Sequence, residues 1–207
     1  MTDLEILKKA LDLFNEKGYA HVGMRELARE LDISPGNLTY YFKKKEDVLA
    51  ALLNQFSTLN THTLESYLQL EPTNANFLQL MRNIFDNQFR FRGVYVGNQF
   101  FPVAVVEKKI FDYQSVVTKR KAIYQEIFSS LRKAGQLDLD DQDISFLVSF
   151  ITLFGRFWIT EATLFNKSPN KDEVIQHYLF LLARQLSLFS TEAGIKSIEE
   201  YRIKNRG

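Results

Sequence analysis

SPGNLTYYFKKKED, residues 34–47, sets two tyrosines between a proline–glycine start and three consecutive lysines. A buried helix does not carry Lys43, Lys44 and Lys45, and a merely solvated one has little use for Tyr40 and Tyr41. A flat, polar and negatively charged partner would suit such a surface. Ser34 is a good N-cap and Pro35 fits a first helical position, so the spacing predicts a short helix from Pro35 to about Phe42. Just upstream, Met24, Leu27, Ala28 and Leu31 mark another short helix, joined to it by the turn DIS. Before that, Ile6, Leu7, Ala10, Leu11 and Phe14 form one apolar stripe, closed by Gly18 in a left-handed cap.

Two short helices joined by a tight turn are the helix-turn-helix arrangement, whose second helix enters the DNA major groove by its N-terminal end. The residues suit that task. Gly36 lets the backbone approach a duplex, and free amides at a helix tip bind phosphate. Asn37 can bond a base edge or phosphate, and Thr39 can bond or touch a thymine methyl. Tyr40 and Tyr41 offer hydroxyls to phosphates and ring faces to sugars, Lys45 can neutralise a phosphate, and Arg25 starts the preceding helix.

Overall charge does not carry this reading. The formal net charge is +1, and residues 1–50 hold eight Lys or Arg against nine Asp or Glu. What matters is placement: three bases and no acid lie between Ile33 and Lys45. The chain has no cysteine, which excludes disulfides, thiolate metal sites and cysteine nucleophiles, and a reducing compartment is the natural home. The N-terminus lacks an apolar signal core. The longest uncharged apolar run, Ile144 to Gly155, stops at Arg156 and falls short of the roughly 20 residues of a membrane span. A cytoplasmic protein without a membrane partner is expected.

Helical periodicity continues almost throughout, broken by only four prolines and nine glycines among 207 residues. A long helix should start near Glu46 with Leu49, Leu52, Leu53, Phe56, Leu59, Leu64 and Leu68 facing inward. Phe77, Leu80, Met81, Ile84 and Phe85 mark the next. The stretch 91–112 is less regular. The pattern returns from Tyr113 to Ala134, then over an apolar helix reaching about Phe165, and again from Ser168 and Pro169 to Phe189. The chain reads as all-α.

Residues 4–54 resemble the tetracycline-repressor (TetR) family of bacterial transcription regulators. The resemblance rests on LFNEKGY at 13–19, MRELA at 24–28, ISPGNL at 33–38 leading into YYF, and KKKEDVL at 43–49. Several spaced elements in order carry more weight than a lone motif. The resemblance implies DNA contacts at Arg25, Ser34, Pro35, Gly36, Asn37, Thr39, Tyr40, Tyr41 and Lys45. It implies a domain boundary near residue 50: a helix-turn-helix DNA-binding domain over 1–50, and a helical ligand-binding and dimerisation domain over 51–207. It also implies a homodimer on palindromic double-stranded DNA, a repressor released by a small-molecule effector, and no cofactor. The chain departs from the family where Val22 and Gly23 replace a capping Ser or Thr, where Asp32 replaces the turn glycine, and where Thr39 replaces a frequent tyrosine.

The larger half carries weaker signals. Phe85, Phe89, Tyr95, Phe101, Tyr113, Phe154 and Trp158 are candidate walls of a ligand pocket, although such residues serve an ordinary core equally well. The apolar helix has Phe146, Phe150, Leu153 and Phe157 on one side and Leu147, Ile151, Phe154 and Trp158 on the other. A helix apolar nearly all round is buried on both faces, one against the core and one against a twofold partner. With Tyr178, Leu182, Leu186 and Phe189 of the following helix it is expected to build the dimer interface. Arg156 is read as a salt-bridge residue or a pocket residue.

Two tempting sites fail. Asp138, Asp140 and Asp143 resemble a calcium loop, but Asp143 stands where that loop needs glycine. His21, His62 and His177 have no metal-ligand spacing. No nucleophile–base arrangement is present, so no catalytic residue is assigned. An enzyme, or an interaction module with a purely structural triplet, is the competing reading. A module binding membrane would need a broad apolar face that the third helix lacks.

Overall fold

The computed structural model describes residues 2–95, 111–165 and 170–205. Its helices are α1 (Asp3–Lys17), α2 (Met24–Glu30), α3 (Pro35–Tyr41), α4 (Lys45–Tyr67), α5 (Asn74–Arg90), α6 (Arg92–Tyr95), α7 (Tyr113–Lys133), α8 (Asp141–Phe165), α9 (Lys171–Ser187) and α10 (Glu192–Lys204), with a 3-10 turn at Tyr19–His21. No strand occurs among the described residues, only an isolated bridge between Leu137 and Ser190. The all-α expectation holds.

Two compact units share these helices: Met1–Leu59 with Asn87–Gln114, and Asn60–Asp86 with Ser115–Gly207. In the first, α1 begins with a reciprocal cap. The Thr2 N–H donates to Glu5 Oε2 at 2.7 Å, and the Glu5 N–H donates to Thr2 Oγ1 at 3.3 Å. The expected stripe of Ile6, Leu7, Ala10, Leu11 and Phe14 is buried, together with Leu27, Ala28, Leu38, Phe42, Leu49, Leu52, Leu53 and Phe56.

Phe91 and Val94 join that core, so part of the irregular stretch is built into it. Gly93 does not loosen the chain there. A Cβ on it would lie 2.0 Å from the Phe14 carbonyl oxygen, and glycine is what lets α6 sit against the end of α1. Asn15 fastens the contact: its Nδ2 donates to the Arg90 carbonyl and its Oδ1 accepts from the Gly93 N–H, both at 2.8 Å.

In the second unit, Phe77, Leu78, Met81, Phe85, Ile127, Phe128, Leu131, Leu147, Ile151, Trp158, Ile175, Tyr178, Leu182 and Leu186 are buried. The aspartates before α8 cap it. The Asp143 N–H donates to Asp140 Oδ1 at 2.8 Å, and the Asp140 N–H donates to Asp143 Oδ2 at 3.0 Å. The start expected at Ser168 and Pro169 lies outside the described residues; α9 begins at Lys171 with Asn170 as its N-cap.

Periodicity did not announce α10. Thr191 caps it, and fully buried Asn74 donates from Nδ2 to Ser190 Oγ at 3.1 Å and the Gly194 carbonyl at 3.2 Å. Gly194 is required there, because its Cβ would meet the Gln136 carbonyl at 2.0 Å.

Candidate nucleic-acid interface

The tip of α3 is built by two residues that its sequence makes rigid. Ser34 holds an extended backbone (φ −70°, ψ 148°), and Pro35 follows as the first helical residue. Ser34 Oγ accepts from the Asn37 N–H at 3.1 Å, and the Ser34 carbonyl accepts from the Leu38 N–H at 3.1 Å. Pro35 has no N–H, and the Gly36 amide is left open at this end. A Cβ on Gly36 would find only ordinary contact, 3.9 Å from Ser34 Oγ. The fold itself therefore does not require glycine at that position.

Leu38 is fully buried and Phe42 nearly so, which pins the inner face of α3 to the first core. Ser34, Pro35, Gly36, Asn37, Thr39 and Tyr40 are exposed together on the outer face, with Lys43 and Lys44 just beyond. The two tyrosines have separate fates. Tyr40 is 85% exposed. Tyr41 is half-buried against the core, its ring edge-on to Tyr40 at 5.4 Å and 88°. Thr39 Oγ1 donates to the Gly36 carbonyl at 2.9 Å, so its hydroxyl proton is already used.

Lys45 is engaged within its own unit. Its Nζ donates to the Tyr19 carbonyl at 2.9 Å and sits 4.2 Å from the Tyr19 ring centroid. The ammonium thus ties the first turn of α4 to the 3-10 turn, and Lys43 and Lys44 remain the outward cations. Tyr19 in turn packs edge-on to Phe14 at 5.2 Å. Burial, and then the Glu46 charge, push its phenol up to about 12. Sequence reasoning missed this seat because a Tyr carbonyl 26 residues away leaves no local signal.

Arg25 is exposed near the start of α2. That helix is capped by Gly23 with no side-chain hydrogen bond, which is the consequence expected of the missing Ser or Thr. Leu27 and Ala28 seat it in the core, and on its outer side Lys17 Nζ donates to Glu26 Oε1 at 2.8 Å. This bond holds the Glu26 carboxyl below the usual carboxylate range and the Lys17 ammonium above its ordinary value. Asp32 adopts φ 54°, the left-handed turn conformation, so the departure from glycine keeps the turn at some cost.

The described pocket candidates fall in both units. Phe85, Phe154 and Trp158 belong to the second unit, with Phe85 fully buried 4.5 Å from Trp158 and 6.1 Å from Phe154. They pack on one another and fill space. Phe89 belongs to the first unit, under the Arg92 guanidinium at 4.8 Å. Tyr113 is half-buried at the start of α7. Phe101 lies outside the described residues, as does the side chain of Tyr95.

The interface candidates divide. On α8, Phe146, Leu153 and Phe157 are 48%, 62% and 48% exposed, while Leu147, Ile151 and Trp158 are buried. One side of α8 thus faces the core, and the other is bare. Phe150 is half-buried in a ladder with Phe146 at 6.2 Å and Phe154 at 5.5 Å. Phe189 is also half-buried and meets Phe146 at 6.0 Å.

On α9 the expectation is corrected: Tyr178, Leu182 and Leu186 are buried within their own chain, so no partner can reach them. The apolar stripe of α9 went to the core. Its exposed apolar residues are Phe180 and Leu181, 49% and 41% exposed, which flank the stripe and escaped the count. Helix α8 over Asp141–Leu164 is also long and apolar enough, by length and composition, to cross a membrane. Arg156 is half-buried on it.

Comparison with known proteins gives these sites a context. Residues 6–52 match the family model described as bacterial regulatory proteins of the tetR family, and residues 111–196 match that of a bacterial transcriptional repressor, TetR. A probable HTH-type transcriptional regulator of Bacillus subtilis strain 168, YttP, is 32% identical over 82 residues, 40% of each protein. An uncharacterized HTH-type regulator of the same organism, YuxN, is 41% identical over 51 residues, 25% of this chain and 18% of that protein. The chain thus aligns with well under half of either relative's length.

A TetR-family regulator from Marinobacter aquaeolei VT8 superposes over the whole of both chains with a TM-score of 0.83 at 24% identity. The ketosteroid transcriptional regulator KstR2 of Mycobacterium tuberculosis superposes over 92% of this chain and 95% of its own, with a TM-score of 0.70 at 18% identity. At these identities the structures speak for the fold.

Proposed function

Because the chain belongs to the TetR family of bacterial transcription regulators, DNA-binding proteins and not enzymes, we propose that it is a dimeric repressor. It would read a palindromic operator through α3 and release it when a small molecule binds. The observation that supports this most is the outer face of α3: six consecutive-turn residues exposed, no apolar patch among them, and two free-standing lysines at the end. Residues 1–50 would bind DNA, and residues 51–207 would sense the effector and pair the protomers. The enzyme and interaction-module readings lose their ground with the family assignment.

Pairing is supported by the bare apolar side of α8. Phe146, Leu153 and Phe157 stand exposed on one side of α8, the kind of surface that a twofold interface covers. Two α3 helices would then dock about 34 Å apart on successive major grooves. The place of action is the cytoplasm, where the DNA is.

The test is a titration of the purified chain against fragments of its own upstream DNA between about 50 and 200 mM salt. The reading expects one fragment to bind about a thousand-fold more tightly than the rest. Weak, equal binding to every fragment contradicts it.

A further inference from the structure

The position just after Leu38 chooses between two kinds of base contact, and the geometry decides which. Threonine carries a hydroxyl and a methyl on one carbon. The groups an outward hydroxyl could donate to at the major groove are purine N7, guanine O6, thymine O4 and the phosphate oxygens. Thr39 has no proton to give them, because Oγ1 donates to the Gly36 carbonyl at 2.9 Å. With the hydroxyl proton committed along the helix, what this exposed residue keeps for a base is its γ-methyl and the Oγ1 lone pairs, which could accept only from adenine N6 or cytosine N4; the serine and deoxyuridine comparisons below separate the two.

We propose that Thr39 is a specificity-determining residue that selects thymine through methyl–methyl contact at one position of each half-site. The proposal rests on the DNA-binding reading and sharpens it. A tyrosine at this place would present a phenol; threonine presents a small apolar knob beside Asn37 and Tyr40, which fits the 5-methyl group of thymine. Burying one methyl corresponds to about four-fold in affinity per half-site, and about fifteen-fold when both are engaged.

The experiment is selection from random duplexes by the full chain and by Thr39→Val and Thr39→Ser. Valine keeps the methyl and the β-branch and removes the hydroxyl; serine does the reverse. The proposal expects Thr39→Val to enrich the same thymine as the wild type and Thr39→Ser to lose preference at that position alone. A duplex with that thymine replaced by deoxyuridine should then bind wild type and Thr39→Val about four-fold more weakly per half-site and leave Thr39→Ser unchanged. Three results overturn it: serine keeping the preference while valine loses it, both variants keeping it, or both losing it. A wild type that enriches no sequence removes the DNA reading itself, which is a separate and recognisable failure.

Discussion

Replacing Gly36 by alanine should make the protein more stable and a worse DNA binder. Gly36 lies in a helix, outside the left-handed region to which Gly18, Asp32 and Gly135 are confined among the described residues. An added Cβ meets only Ser34 Oγ, at the ordinary contact distance of 3.9 Å. Nothing in the chain opposes the methyl, so the helix preference of alanine applies in full. It is worth about 0.5–1 kcal/mol, which at this chain length raises the melting temperature by about 1–4 °C.

The open Gly36 amide is a backbone donor at the tip, and the close approach of a duplex backbone to it is what an added methyl is expected to hinder. Losing one charge-assisted hydrogen bond lowers affinity by about ten- to a hundred-fold. Thermal unfolding and fluorescence anisotropy with an operator duplex measure the two effects on the same sample. A lower melting temperature refutes the claim that the fold leaves this position free. An unchanged affinity refutes the close approach of the backbone.

Lys45→Met removes the bond to Tyr19 and should cost about 1–2 kcal/mol in denaturant unfolding, whereas Lys43→Ala should leave stability alone and reduce the salt slope of DNA binding by about one; the opposite pattern would make Lys45 the phosphate contact. Gly93→Ala pushes a methyl into the Phe14 carbonyl and should destabilise the first unit by about 2–3 kcal/mol, seen as loss of protection in hydrogen exchange over α1 and α6. Leu153→Asp places a charge on the bare side of α8, and sedimentation should show monomers with unchanged helical circular dichroism; persistent dimers would locate the pairing surface elsewhere.

Much of the site was legible because its signals are local. Ser34 and Pro35 announce their helix by capping chemistry, Asp32 stands in a turn that tolerates it, and the stripe from Ile6 to Phe14 shows its period within four turns. Helix α8 could be read as two-sided because both of its faces are apolar, and burial later separated Leu147 and Trp158 from Leu153 and Phe157. What could not be read depends on distant partners. A stripe such as Tyr178, Leu182 and Leu186 reveals that α9 has an apolar face but not which neighbour covers it. The seat of Lys45 on Tyr19, the clip of Asn15 on α6, and the Asn74 hub that anchors α10 all join residues far apart in sequence. Tyr40 and Tyr41 show the same limit in miniature: identical residues, adjacent, and only the completed fold sends one inward.

The most direct measurement is anisotropy with two duplexes, one enriched by selection and one of scrambled sequence, read for the wild type and for Asn37→Ala/Tyr40→Ala. Both substituted residues are exposed on α3, so folding should survive, and circular dichroism of the variant is the check on that. The account predicts that the wild type prefers the enriched duplex by about a thousand-fold, and that the variant binds both duplexes weakly and alike. A folded variant that still discriminates between them would show that α3 is not what reads the DNA.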